Sequence, residues 1–328
     1  MKKRLLTGVV VLGAAAMLCG FDSAETADSV LNKMQEASSA QTDVTMGMTM
    51  NVDIALNMDD GENTASLPIK LNADFDVAAT TEPLAMKMEG SMNMSALAQN
   101  EAVTMKMYGV TNDAGAFETY VYQDDATTGE SGWIYGSDDS INYAELMEKS
   151  KSMTTNASEL AEYGLTFELA PEAADFEGTE CYLLTTTIDS ATLNTIFSKT
   201  SELTGQDLTA DENVAMALSM LDGLKMNISY YVSTADYMPL GMHIDMNDSD
   251  LTTLTSVIQG LLAGAAGDEA AATTIELALN DVSIDASTTY GAIDPITVPD
   301  EAIAAVESGE AQSLDALEEE VAGEVAGE

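Results

Sequence analysis

The stretch VTMGMTMNVDIALNM, Val44 to Met58, alternates between apolar residues and polar or small ones. Its even positions carry the apolar side chains: Val44, Met46, Met48, Met50, Val52, Ile54, Leu56 and Met58. Because successive side chains of a strand point to opposite faces, this period of two predicts a β-strand with one apolar face. At roughly 3.3 Å per residue the strand is about 50 Å long, which is long for a globular domain.

The same period of two recurs along most of the chain. Further alternating runs cover Leu67 to Ala79, Leu84 to Met94, Val103 to Met107, Phe117 to Gln123, Gly132 to Gly136, Met226 to Val232 and Leu240 to Met246. Short turns, such as the one at Asp60-Gly61, join successive runs and therefore predict antiparallel neighbours. Long antiparallel strands with one apolar face predict a strongly curved open sheet, a half-barrel.

Helical spacing of apolar residues interrupts these strands. It predicts helices over Ala24 to Gln41, 141 to 163 and Leu251 to Ala266, and from Ser190 and Asp211 onward. In the last long run, Thr274 to Tyr290, the apolar phase changes from odd to even positions at Asn280-Asp281, which predicts a β-bulge. The pattern favours a single α+β domain over residues 26–306, in which helices cover the concave face of a curved antiparallel sheet.

The N-terminus has the features of an export signal. Lys2, Lys3 and Arg4 precede an uncharged run of fourteen residues from Leu5 to Leu18. This arrangement predicts a signal peptide over residues 1–18, and the run is shorter than the roughly 20 apolar residues of a membrane-spanning helix. The alternative interpretation is a buried N-terminal helix.

Cys19 follows the apolar run directly. The string Ala16-Met17-Leu18-Cys19-Gly20 resembles a bacterial lipobox, although Leu18 stands where a small residue is usual. The resemblance implies that Cys19 is lipidated after cleavage and that residues 19–25 form a lipid-anchored tether. The alternative is cleavage by an ordinary signal peptidase, which would give a soluble secreted protein.

The charge is strongly negative, at −45 for the whole chain. Removal of residues 1–18 leaves 8 basic and 56 acidic residues, a net charge of −48. Such a field repels nucleic acid, so nucleic-acid binding is excluded.

The acidic tail, residues 307–328, is expected to be a short helix or disordered. If Cys19 carries lipid, Cys181 has no disulfide partner, and we interpret Cys181 as a small buried apolar group.

Several stretches together resemble a known group of proteins. They are the Cys19-Gly20 start, the first helix ending in Ser38-Ser39-Ala40, WIYG (Trp133 to Gly136), YYVSTADYMPLGMHIDM (Tyr230 to Met246) and IDPITVPDEAIAAV (Ile293 to Val306). The chain resembles the LolA/LolB-like lipoprotein carriers, particularly uncharacterised Gram-positive lipoproteins of that fold. The resemblance implies an open half-barrel closed by helices, a cavity that can hold acyl chains, and no catalytic or ligating residue.

Catalytic and metal-binding chemistry finds little support. His243 is the single histidine and lies on the polar side of its strand, and no G-x-S-x-G motif accompanies it. No Cys/His cluster indicates zinc. DMNDSDL, from Asp245 to Leu251, begins like a calcium loop but lacks the glycine at position six and the glutamate at position twelve. We therefore predict no enzyme activity, no cofactor and no metal site.

The methionines are the remaining signal. Thioethers bind Cu(I), but these methionines occupy the same strand phase as valine, isoleucine and leucine, which favours an apolar surface. Methionine is flexible and polarizable, so it accommodates apolar shapes that vary. We hypothesise that a ligand cavity is lined by Met48, Met50, Met88, Met92, Met107 and Met242.

The predicted function is binding or carrying a hydrophobic acyl-chain ligand, on the outer face of the cytoplasmic membrane. The alternative is a structural or interaction lipoprotein whose interior is filled by its own side chains.

Overall fold

The computed structural model describes residues 25–59, 61, 63–96, 99–112, 115–125, 129–138, 157–204, 221–266 and 274–314. The strands are β1 (Asp43–Asp59), β2 (Thr64–Thr81), β3 (Leu84–Ala96), β4 (Gln99–Thr111), β5 (Phe117–Asp125), β6 (Glu130–Asp138), β7 (Glu168–Leu169), β8 (Ala174–Phe176), β9 (Thr179–Asp189), β10 (Lys225–Ser233), β11 (Pro239–Asp245), β12 (Thr274–Tyr290) and β13 (Gln312–Ser313). The helices are α1 (Ala27–Ser39), α2 (Ala157–Glu162), α3 (Ser190–Thr204), α4 (Thr252–Ala266) and α5 (Asp300–Ser308).

All these strands belong to one open sheet. Its order is β13-β6-β5-β4-β3-β2-β1-β12-β11-β10-β9-β7, with β8 attached to β9, and the two ends of this path are not joined. Every pairing is antiparallel except that of β13 with β6. The α+β open half-barrel predicted from the period-two pattern is confirmed.

The predicted bulge lies at Asn280, in the pairing of β1 with β12. Asp53 lies opposite Asp281, whereas its neighbour Ile54 lies opposite Leu279, so Asn280 is the extra residue. The bulge keeps the apolar residues of both halves of β12 on one face, because a slip of one residue otherwise moves every later side chain to the opposite face.

The described helices agree with the sequence pattern where they can be compared. α1 lies within the predicted range, and its N-cap Thr26 accepts a hydrogen bond from the Ser29 amide at 3.2 Å. The helices predicted from Ser190 and over Leu251 to Ala266 are present as α3 and α4. Of the helix predicted over 141–163, α2 is the described part. Residues 1–24, 139–156, 205–220 and 315–328, which include the signal peptide, Cys19, most of the helix predicted from Asp211 and most of the acidic tail, lie outside the described residues.

Two clusters of buried residues hold helices against opposite faces of the sheet. In the first, Val30 and Leu31 of α1 pack against Tyr182, Leu184 and Val232 of β9 and β10. In the second, Ala302 of α5 packs among aromatic side chains of three strands, namely Tyr108, Tyr120 and Trp133. Within the described part of the chain, no helix has the length and hydropathy that crossing a membrane requires.

Candidate functional site

Strand register places the six predicted methionines on one face of the sheet. Residues directly opposite each other on paired strands share a face. The pairs that establish this are Met48–Ala286, Met242–Ala286, Met48–Phe75, Met50–Ala73, Ala73–Met92, Phe75–Gly90, Val77–Met88 and Met88–Met107. We call this side the apolar face and the other side the polar face.

Charge is fully segregated between the two faces across six neighbouring strands. On β10, β11, β12, β1, β2 and β3, no position in phase with Met48 carries a charged residue. The polar face of the same strands carries Asp43, Asp53, Asp59, Lys70, Asp74, Asp76, Lys87, Glu89, Lys225, His243, Asp245, Glu276, Asp281 and Asp285. An aqueous ligand therefore meets charge on one side and an uncharged, sulfur-rich surface on the other.

The apolar face is half-buried and not sealed. All six methionines keep partial exposure, whereas the small residues Ala73 and Ala286 between them are 1% and 5% exposed. In β2 each even residue from Ser66 to Asp76 is exposed, while most odd residues are more covered. On β1, β2 and β3 the apolar face is thus the better protected side, but its large side chains still contact solvent.

An aromatic ring lies across one glycine of this face. A β-carbon on Gly90 would come within 2.4 Å of Cδ1 of Phe75 and 2.1 Å of the Asp74 carbonyl oxygen. Gly90 therefore provides the space in which the Phe75 ring covers β3. Sequence reasoning missed this contact, although a glycine in the apolar phase of a strand is a signal of close packing.

The apolar face is most open at one end of the sheet. Ile69 is 36% exposed and Met94 is 37% exposed, and both belong to the apolar phase. They lie toward the β1–β2 and β3–β4 turns. At the other end, α1 leads into β1 and covers β9 and β10.

A groove of about 770 Å³ lies on the polar face, not on the methionine side. Its polar walls come from Thr49, Asp74, Asp76, Glu89, Ser91, Thr104, Asp285 and Ser287, and Phe176 and Glu177 overhang it. Met48 and Met242 also border it. The Lys87 ammonium lowers the pKa of Glu89, and the Tyr108 hydroxyl donates to the same carboxylate at 2.7 Å. The groove is acidic and is not the apolar cavity of the hypothesis.

A polar cluster fixes the N-terminal segment to the turn between β10 and β11. The Lys33 ammonium pairs with Glu25 and lies 4.5 Å from the ring centroid of Tyr237. The Tyr237 hydroxyl donates to Glu25 at 3.0 Å. The hydrogen bond from Lys33, followed by that from Ser29, lowers the pKa of Glu25 to about 2. Sequence reasoning missed this cluster because its members are 212 residues apart.

The remaining candidates occupy ordinary structural positions. His243 lies on the polar face, and its Nδ1 is 2.7 Å from Asp285. Cys181 is fully buried as predicted, and burial, followed by the charges of Asp175 and Glu180, raises the pKa of its thiol. No group of three or more His, Cys, Asp or Glu side chains within the described ranges has a geometry that could hold a metal ion.

Comparison with solved structures finds matches of low sequence identity and low TM-score. LprF from Mycobacterium bovis is 14% identical, with a TM-score of 0.36 over 83% of this chain and 96% of that one. The lipoprotein LppX from Mycobacterium tuberculosis is 11% identical, with a TM-score of 0.33 over 83% and 98%. A LolA superfamily protein from Nitrosomonas europaea is 13% identical, with a TM-score of 0.20 over 85% and 97%. At these TM-scores the similarity carries no argument about this chain.

No curated protein matches this chain. A family model described as a family of unknown function, DUF6612, matches residues 26–253. This match spans more than two thirds of the chain, from the N-cap of α1 through β11 to the start of α4. The chain belongs to the DUF6612 family.

Proposed function

We propose that this protein is an exported, lipid-anchored and non-enzymatic component of the cell envelope that binds or carries an acyl-chain ligand on its methionine-rich apolar face. The observation that carries the proposal is the uncharged apolar face of six neighbouring strands, whose large side chains stay partly exposed on β1, β2 and β3. A contiguous exposed apolar surface on a protein of such high charge favours a binding role.

The energetics of an acyl ligand suit this surface. Each methylene removed from water contributes about 0.8 kcal/mol, so a long chain gains several kcal/mol without any charged contact. Methionine side chains adapt to such a chain because they are unbranched and rotate freely. We propose that Met48, Met50, Met88, Met92, Met107 and Met242 make these contacts.

A second candidate function is a structural or interaction role with no ligand. It is favoured by the clusters around Leu31 and Trp133, where the protein fills its own interior. The two candidates differ in what the apolar face contacts in the purified protein, either a lipid or the chain's own side chains.

Native mass spectrometry of protein purified from its own host tests the proposal. We expect co-purifying lipid at about one molecule per chain. A Met50→Lys variant places a charge on the apolar face and should lose the lipid, whereas Asn72→Lys adds the same charge to an exposed position of the polar face and should retain it. Lipid-free wild-type protein that also fails to bind added acyl probes would favour the second candidate.

The anchor requires a separate experiment. Cells labelled with a fatty-acid probe should incorporate it into the wild-type protein and not into a Cys19→Ala variant. Incorporation that persists in the variant would place the lipid elsewhere and remove the proposed attachment to the outer face of the cytoplasmic membrane.

A further inference from the structure

The uncharged area of the apolar face ends at β4, where a carboxylate takes up a position in phase with the methionines. Glu101 lies directly opposite Met94 of β3, and residues paired in this way have Cβ atoms about 4.5–5.5 Å apart. Glu101 is half-buried, whereas its neighbours Asn100 and Ala102, which have the opposite phase, are exposed. A carboxylate therefore borders the most exposed methionine of the apolar face.

The cations of the sheet all lie on the other side. The lysines of the described strands, Lys70, Lys87, Lys106 and Lys225, have the phase of the polar face. Lys70 pairs with Asp53 and Lys87 pairs with Glu89, each at 2.8 Å. Across these strands, the apolar face therefore presents no ammonium group to an anionic head group.

The exposed end of the apolar face is where a polar head group would stay hydrated. Met94 and Ile69 are more than one third exposed there, while α1 seals β9 and β10 toward the other end of the sheet. An amphiphile that lays its chain along Met92 and Met88 toward the middle of the sheet leaves its head beside Glu101.

Resting on the proposed function, we infer that the ligand enters at the Ile69–Met94 end and that Glu101 selects its head group. The ligand class is a single-chain or double-chain amphiphile with a cationic or hydroxyl-bearing head, and phosphate or sulfate heads are rejected. Both electrostatic attraction and hydrogen-bond donation to Glu101 favour the first class, and like-charge repulsion disfavours the second.

Competition between probes of equal chain length measures this selectivity. Dodecyltrimethylammonium, dodecanol and dodecyl sulfate, each below its micelle concentration, displace a neutral apolar dye from the mature protein at pH 7 and constant ionic strength. We expect the ammonium probe to bind more tightly than the sulfate. In a Glu101→Gln variant the ratio of the two affinities should fall by up to about fivefold, which is the scale of a partly exposed ion pair.

Two controls separate the local carboxylate from the field of the whole protein. The Asp76→Asn variant removes one charge from an exposed position of the polar face and should leave the affinity ratio unchanged. Dodecanol should bind Glu101→Gln nearly as it binds wild type, because the carbonyl oxygen of the glutamine side chain still accepts a hydrogen bond from the hydroxyl head. This binding also shows that the variant is folded.

The outcomes distinguish the inference from the function on which it rests. The selection by Glu101 would be overturned if wild type bound dodecyl sulfate as tightly as dodecyltrimethylammonium, or more tightly. It would also be overturned if Asp76→Asn and Glu101→Gln changed the affinity ratio equally. Acyl binding would remain intact in both cases. Failure of all three probes to displace the dye, or failure of the dye itself to bind, would overturn both.

Discussion

Two regions of the same apolar face are built differently. Where α1 packs on the sheet, Val30 and Leu31 of the helix are 0–2% exposed, and so are Leu184 and Val232 of the strands beneath it. Across β1 to β4, methionines take the same strand phase and remain half-buried or, at Met94, exposed. The difference shows that alternation sets which face is apolar, while the packing of α1 decides where that face is sealed. Branched aliphatic side chains pack into a fixed interior, and methionine suits a surface whose contact partner varies.

Truncating one side chain in each region should give the clearest test of this difference. Leu31→Ala removes a fully buried side chain and should lower the free energy of unfolding by about 2–5 kcal/mol, because it leaves a cavity. Met92→Ala in the half-buried region should cost only about 1 kcal/mol, because the side chain already contacts solvent. Chemical denaturation of both variants measures this contrast, and equal losses would mean that the methionine region is as tightly packed as the α1 contact.

The buried aromatic cluster under α5, on the polar face, offers a second test. It contains Trp133, the only tryptophan of the chain. Ala302 is fully buried against this cluster, so Ala302→Asp introduces an unpaired charge and should cost about 2 kcal/mol. Displacement of α5 would expose Trp133, now 9% exposed, and move its fluorescence emission to longer wavelength.

The neighbouring residue supplies the control for this substitution. Ile303 is 40% exposed on the same helix, so Ile303→Asp should leave the emission and the stability close to those of wild type. A blue emission that persists in Ala302→Asp would show that the aromatic cluster does not need α5 to exclude water.

Much of the fold follows from local pattern. The strand phases of β1, β2 and β3, the helices at Ser190 and Leu251, and the bulge at Asn280 all depend on the spacing of neighbouring residues. Because a period of two fixes the face of every side chain once strands pair, the shared face of the six methionines was predictable as well. That they line a ligand cavity stays a prediction.

Contacts between distant segments were not predictable. The packing of α5 against Tyr108 and Trp133 on the polar face depends on which helix returns to which strand, and no local spacing encodes that choice. The acidic groove beneath Phe176 is assembled from β11, β12, β1, β2, β3, β4 and the β8–β9 hairpin. In both cases the decisive side chains are aromatic residues in strands whose polar phase sequence reasoning treats as solvent-facing.

The smallest expected effect concerns the contact of Glu25, just before α1, with Lys33 and Tyr237. The pKa of Glu25 lies at about 2 in the folded protein, against 4.5 for an ordinary glutamate, because Lys33 and Ser29 hydrogen-bond to its carboxylate. The unfolded chain therefore binds more protons between these values, so the contribution of Glu25 to stability is complete above pH 4.5 and disappears as the pH falls toward 2.

Glu25→Gln should accordingly lower the free energy of unfolding by about 1 kcal/mol at pH 7, since Lys33 is partly exposed and solvent screens the pair. The difference from wild type should shrink between pH 4.5 and 2, as measured by denaturation at several pH values. Glu36→Gln removes the same charge from an exposed position of α1 and serves as the control. A pH-independent difference for Glu25→Gln would mean that the carboxylate acts by packing against Tyr237 and not through its charge. In that case, the contact would hold the segment after residue 24 against the β10–β11 turn at any pH.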